Sequence, residues 1–190
     1  MVLSLLALTA FGAPEEKVVF AGGGTDVGNT ICYAVVSAAS ANGGTPVVTY
    51  LNATSDLSSS KVTFYTYGTN TFVNAAQPGT TFIPVNATNG FVNGDVIVIR
   101  HVATDTYEKR ILTTFTTNGV LVVTAAPTVA TAAGDVIYRV SAAGSIPVGA
   151  ATLALTGEGI YAGEKGKPLL LEVDGTSTCQ LNAVCAKYVK

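Results

Sequence analysis

Two four-residue words, Gly94-Asp95-Val96-Ile97 and Gly134-Asp135-Val136-Ile137, constrain this chain more than any other feature of it. In each, glycine supplies backbone angles that other residues reach only at a cost, and aspartate can bond the amides of its own turn. Val-Ile then opens a β-branched run suited to a pleated, half-buried surface. Each word therefore marks a turn handing over to a strand. Between them lie Arg110-Ile111-Leu112 and Val120-Leu121-Val122-Val123, separated by Asn118-Gly119. Asn-Gly between apolar runs predicts a tight hairpin. Gly94, Asp95, Asn118, Gly119, Gly134 and Asp135 are thus predicted structural turn residues, and residues 81–140 a compact antiparallel β-module.

The rest of the chain reads the same way. Residues 17–20, 46–51, 61–67, 152–155 and 168–173 carry apolar or alternating patterns that predict strands. Residues 46–51 and 61–67, joined by a polar cluster, predict a second antiparallel pair. Residues 31–41 are Ala-rich and end at Asn42-Gly43-Gly44, which suits a short helix, with a strand nearly as good. Residues 157–167 hold several glycines and read as a loop, and residues 181–189 as a strand or short helix. Ile83-Pro84-Val85 and Ile146-Pro147-Val148 share one wording, and proline places each at a strand start or sheet edge. A repeat of about 40 or 60 residues does not align along the flanks. The shared words read as reuse of turn chemistry. The predicted fold is mainly β: small antiparallel barrel or sandwich modules joined by Gly-rich connectors, with room for one short helix. The predicted organisation is an N-terminal apolar arm (1–16), a β-rich domain (17–79), a small β-barrel module (80–140) and a C-terminal β segment (141–190).

Composition narrows the function classes. Charged residues make up 12% of the chain, about half the usual ~25%. So little charge is unusual for a free monomer and points to surface covered by partners. The formal net charge is −2 and no Lys/Arg cluster exists, so the basic face that nucleic-acid binding needs is missing. Cys32, Cys179 and Cys185 form no CxxC and cannot all pair within one chain. They read first as free, buried thiols, with a Cys179–Cys185 disulfide as the alternative. Residues 2–13 contain Val2, Leu3, Leu5, Leu6, Leu8 and Phe11 and no charge. They resemble the apolar region of a signal peptide but lack its basic start. A retained arm that packs on the core or on a neighbouring subunit is the first reading, and secretion the second. No apolar run is long enough to predict a membrane span.

Motifs that would carry chemistry weigh less than their structural readings. Gly22-x-Gly24-x-x-x-Gly28 imitates a dinucleotide loop but departs from its spacing and lacks an acidic residue after the next strand. Asp95 and Asp135 could be drawn as paired acids but read better as turn residues. His101, Asp105 and a serine could be drawn as a triad, without a nucleophile-elbow sequence to support it. Asp174-Gly175-Thr176-Ser177-Thr178 is rich in side-chain oxygen but too poor in acid for calcium. Asn52-Ala53-Thr54 and Asn86-Ala87-Thr88 fit glycosylation acceptors, which matter only in a secreted chain. No catalytic residue, metal or cofactor is expected.

The wording of Thr81-Phe82-Ile83-Pro84-Val85, Gly90-Phe91-Val92-Asn93-Gly94-Asp95-Val96-Ile97, Leu121 to Thr124 and Ala133-Gly134-Asp135-Val136-Ile137-Tyr138 resembles the small β-modules of tailed-bacteriophage virion proteins. It is similar to capsid decoration (cement) proteins and to fibre or spike modules. The resemblance covers about a third of the chain. It implies binding to the major capsid protein or other virion subunits, a homo-oligomer with a trimer foremost, assembly in the host cytoplasm, and no enzymatic activity. A secreted or surface filament or adhesin subunit, with residues 1–13 as signal or donor strand, is the alternative.

Overall fold

The computed structural model describes residues 16–21, 24–25, 31–35, 45–116, 119–167 and 169–188. Among these are thirteen strands and no helix: β1 (Glu16–Ala21), β2 (Gly24–Thr25), β3 (Ile31–Val35), β4 (Thr45–Ser55), β5 (Lys61–Phe72), β6 (Phe82–Pro84), β7 (Val96–His101), β8 (Thr106–Thr116), β9 (Val120–Val123), β10 (Val136–Pro147), β11 (Thr152–Ala162), β12 (Leu169–Asp174) and β13 (Cys179–Tyr188). They form two antiparallel sheets. One has the order β1-β13-β4-β11, the other β2-β3-β12-β5-β10-β7-β8-β9-β6.

The side-chain pattern of each strand places it. Leu169-Leu170-Leu171-Glu172-Val173 is buried at every position, as a strand covered on both faces must be, and β12 lies between β3 and β5. β4 alternates, sending Val48, Leu51 and Ala53 inward. They meet Val62, Phe64, Leu169, Leu171 and Val173 of the larger sheet and Leu181 and Ala183 of β13, so one apolar core is built from both sheets. Tyr161 of β11 stacks on Phe64, ring centroids 4.1 Å apart. Gly144 makes room for it, since a Cβ there would lie 3.0 Å from the Tyr161 ring.

A second core fills the 81–140 region with Ile83, Val85, Phe91, Ile97, Ile99, Leu112, Leu121, Val123 and Ile137, joined by Val73 of the preceding segment. Its strands are related by an internal two-fold. Gly94 and Gly134 are 40 residues apart. Gly94 N donates to Leu112 O (2.8 Å) and Leu112 N to Asp95 O (2.9 Å); Gly134 N donates to Val73 O (2.9 Å) and Val73 N to Asp135 O (2.8 Å). Val123 N donates to Thr81 O and Val85 N to Gly119 O; Thr124 N donates to Ile111 O and Asn86 N to Phe72 O. Leu112 pairs Val123 as Val73 pairs Val85. β6 pairs β9 about Ile83↔Leu121, and β7 pairs β10 about Val98↔Tyr138. The unit β5–β6–β7 is therefore repeated by β8–β9–β10, with the axis running between β7 and β10. A repeat of this kind is more than shared turn chemistry. The sequence hides it because the bonds repeated are backbone bonds, which do not demand like side chains.

Four sequence expectations are corrected. Residues 46–51 and 61–67 are strands but not partners: β4 pairs β11 and β13, and β5 pairs β10 and β12. Local alternation fixes a strand's faces, not its neighbour. Residues 31–35 are strand, because β-branched and aromatic side chains pair with β12, and residues 36–41 lie outside the described residues. The loop expected at 157–167 is largely β11, which continues to Ala162 across a register shift between Thr156 and Tyr161. The glycines there mark a bulged strand, not a break. Of the barrel or sandwich modules expected, the barrel form is corrected: the strands lie in two antiparallel sheets, and Val73 and Val85 meet in a single bridge without a full ladder.

Candidate functional site

The densest polar chemistry lies at one end of the second core. The β7–β8 hairpin carries His101 and Glu108, and the turn before β10 carries Asp135. All three are buried, with Glu108 fully enclosed. His101 Nδ1 stands 3.0 Å from Asp135 Oδ2 and Nε2 stands 3.0 Å from Glu108 Oε1. Glu108 also accepts from the amides of Thr128 and Val129, each at 2.7 Å, and pairs with the Arg110 guanidinium. Arg110 reaches on to Ala126 O and Thr128 Oγ1. Asp135 accepts from the amides of Val102 (3.0 Å) and Ala132 (2.9 Å).

Electrostatics follow from this packing. Burial pushes the His101 pKa down, but the hydrogen bonds and charges of Glu108 and Asp135 outweigh it and hold the ring above the ordinary histidine value. Burial pushes Glu108 up, and His101, the two amides and Arg110 outweigh it and hold the carboxyl below its ordinary value. With His101 protonated, two buried carboxylates face the buried imidazolium and the partly buried Arg110 guanidinium, and the charges cancel. Both ring nitrogens face carboxylates, so this imidazole has no free position from which to act as a base toward a hydroxyl. Asp105, the acid of the drawn triad, sits elsewhere: it pairs with Arg100 at 2.8 Å on the exposed β7–β8 turn. The cluster ties the 102, 128 and 132 segments to the strand ends.

The other turn aspartate repeats the backbone role in a different setting. Asp95 Oδ2 accepts from Val92 N (2.7 Å), and Arg139 of β10 closes on it at 2.9 Å. Gly94 and Gly134 have φ of +86° and +96°, and Gly119 has +74° with Val85 O 2.7 Å from where its Cβ would stand. Asn118 lies outside the described residues. Asp95 and Asp135 stand at the starts of β7 and β10, each bound to its own partners, and do not form an acid pair.

Among the remaining sequence candidates, Asp174-Gly175-Thr176-Ser177-Thr178 is a turn held by Asp56, which accepts from the amides of Thr176 (2.6 Å) and Ser177 (2.8 Å) and from the Ser177 hydroxyl. That hydroxyl and the amides push the Asp56 carboxyl down to about 2. Of the glycine-rich stretch, Gly24 lies in β2 and Gly22 and Gly28 lie outside the described residues, as do Val2, Leu3, Leu5, Leu6, Leu8 and Phe11. Cys179 is disulfide-bonded, which corrects the expectation of free thiols at that position. Cys179 and Cys185 are six residues apart on one extended strand. That is about 20 Å, too far to bridge. A groove of about 370 Å³ runs past Tyr65, Val96, Lys109, Arg110, Ile111 and Thr124. Its two cations are already engaged, Lys109 by Glu172 and Arg110 by Glu108.

The sequence analysis does not single out Glu108, the buried anchor of this cluster. The available signal was period two: Glu108 and Arg110 share a face of β8, beside the chain's single histidine on the paired strand. The chain matches no protein-family model, no curated protein and no solved structure.

Proposed function

We propose that this chain is a non-enzymatic virion structural protein, a capsid decoration or cement protein whose antiparallel β-sheets tie neighbouring capsid subunits. The observation that carries the reading is the combination of open sheet edges with a charge-poor, partly apolar surface. Among the described residues β1 and β11 end the smaller sheet, and an unpaired strand edge binds an extended segment of a partner through backbone bonds. Phe72, Phe82, Val92, Val102 and Ile111 are each about half exposed. Phe72 and Ile111 hold equivalent places in the internal repeat, opposite Val136 and Val96. A tie between subunits needs such surfaces more than it needs a pocket. Its partners would be the major capsid protein and further copies of itself.

Peptide mass spectrometry of purified particles of the encoding phage tests this. The chain should be present at a stoichiometry comparable with the capsid subunit. Absence from the particles would overturn the reading. Deleting residues 2–13 should leave the 80–140 module folded and weaken attachment to the particle.

The disulfide at Cys179 favours a second reading, since such bonds persist in oxidising compartments. In it, the chain is a secreted or surface filament or adhesin subunit, with residues 1–13 as signal or donor strand. N-terminal sequencing of the native protein separates the two: an intact Met1 fits the virion reading, and a cleaved terminus fits secretion.

A further inference from the structure

The edges of the two sheets are not alike. β6 is three residues long and contains Pro84; β2 has two residues; β1 opens with Glu16-Lys17. Short length, proline and charge are the ordinary means by which an edge is kept from pairing. β11 has none of them over Thr152-Leu153-Ala154-Leu155-Thr156. It ends its sheet, with β4 on one side and no strand on the other among the described residues.

The register shows which backbone groups point away from β4. Thr152, Leu153, Ala154, Leu155 and Thr156 stand opposite Thr54, Ala53, Asn52, Leu51 and Tyr50. Ser55 N donates to Ala151 O at 3.0 Å, which makes Ala151 and Ser55 a hydrogen-bonded pair. Such pairs alternate along an antiparallel ladder, so Leu153 and Leu155 bond to β4. The N–H and C=O of Thr152, Ala154 and Thr156 therefore point outward. The side chains of these three residues are exposed, whereas Leu153 and Leu155 lie half-buried against the core shared by both sheets.

The segment is also a palindrome: Thr-Leu-Ala-Leu-Thr reads the same in both directions. We propose that two copies of this chain pair edge to edge through β11, antiparallel about a two-fold axis at Ala154. In that register Ala154 faces Ala154 of the second copy and Thr152 faces Thr156. All of these residues have outward-pointing groups, so each pair exchanges both backbone bonds. Leu153 faces Leu155 of the second copy, and the apolar face of one sheet continues into the other. Threonine pairs line the opposite face. No charge lies in the segment to oppose a like charge across the axis, and alanine, the smallest side chain present, stands on the axis itself. The contact is isologous, as a symmetric dimer requires. It goes beyond the capsid reading and holds equally for a surface filament, and it joins copies in twos where the virion resemblance implies threes.

Site-directed cross-linking of the full chain tests the register. Under mild oxidation, Ala154→Cys should give a covalent dimer well above the wild-type background, because hydrogen-bonded cross-strand positions lie about 5.5 Å apart, within disulfide reach. Thr156→Cys alone should stay at background, since it faces a threonine, and mixing it with Thr152→Cys chains should restore the dimer. Sedimentation equilibrium of Ala154→Lys, which sets two lysines against each other at an exposed position, should show several-fold weaker dimerisation with an unchanged circular dichroism spectrum. Equal cross-linking from Ala154→Cys and Thr156→Cys would overturn the proposal. So would a wild-type chain that stays monomeric across the concentration series, or Ala154→Lys dimerising as the wild type does.

Discussion

The turn before β7 and the turn before β10 use one backbone design in two electrostatic settings. Each is a Gly-Asp turn whose glycine is left-handed and whose aspartate accepts from the amide three residues back. Each aspartate is also held by a basic side chain from the other half of the repeat, Asp95 by Arg139 and Asp135 by His101. The settings then diverge. Arg139 is 38% exposed, whereas the His101 side chain is 3% exposed and has Glu108 on its far side. Water can replace the first pairing but has no access to the second. The comparison teaches that a repeat can preserve its hydrogen-bond frame while one copy acquires a buried charge network and the other keeps a surface ion pair.

The largest difference should appear on removing the two aspartates. Asp135→Ala leaves the buried His101 ring facing one carboxylate and frees the amides of Val102 and Ala132, a loss of about 3–5 kcal/mol. Asp95→Ala removes a cap and a half-exposed partner, a loss of about 1 kcal/mol. Urea unfolding of the two variants measures both. Equal losses would show that the buried network adds nothing to the turn.

Stability against pH sharpens the same contrast with a smaller effect, because a neutral His101 keeps its place and one of its hydrogen bonds. The folded-state pKa of His101 lies above 6.5, so its contribution is complete below that pH and is lost as pH rises through the folded value. Glu108 acts in the opposite sense: its folded pKa lies below 4.5, so its contribution is present above that pH and is lost as pH falls through the lowered value. The alkaline decline should persist in Asp95→Ala. His101→Asn should abolish it, and a decline that survives that change would assign the titration to another group.

How much of this was legible depends on the range of the interactions. The Gly-Asp words and the period-two runs are local, and they located the start of β7 and the start of β10 without a partner in view. The pairing of β5 with β10 along their whole length is not local, and neither is the separation of β4 from β5 into different sheets. The buried cluster was least legible, since Glu108 looks like any surface glutamate until β8 is folded under the 126–129 segment. His101 and Asp135, far apart in sequence, meet only because β7 and β10 are neighbours.

The two left-handed glycines should behave alike, because the frame they serve is the same. A Cβ at Gly94 or Gly134 meets no atom within 4 Å, so only the backbone angle opposes a side chain. Gly94→Val and Gly134→Val should each cost about 1–2 kcal/mol in thermal or urea unfolding. A clear gap between them would show that the buried cluster strains its turn in a way the surface turn is not strained.

The smallest effect should come from Arg139→Ala. Arg139 holds Asp95 at 2.9 Å and donates to Gly90 O at 2.8 Å, yet its guanidinium is partly solvated, and Asp95 keeps the Val92 amide without it. The exposed pair is worth about 0.2–1 kcal/mol, and raising the salt concentration should erase most of that. His101→Asn should lose more than Arg139→Ala, with a loss that salt leaves nearly unchanged, because screening ions do not enter a buried site. If Arg139→Ala were as damaging as His101→Asn and as indifferent to salt, the two turns would share one electrostatic setting after all. The surface pair would then have to be counted as part of the frame that holds the two halves together.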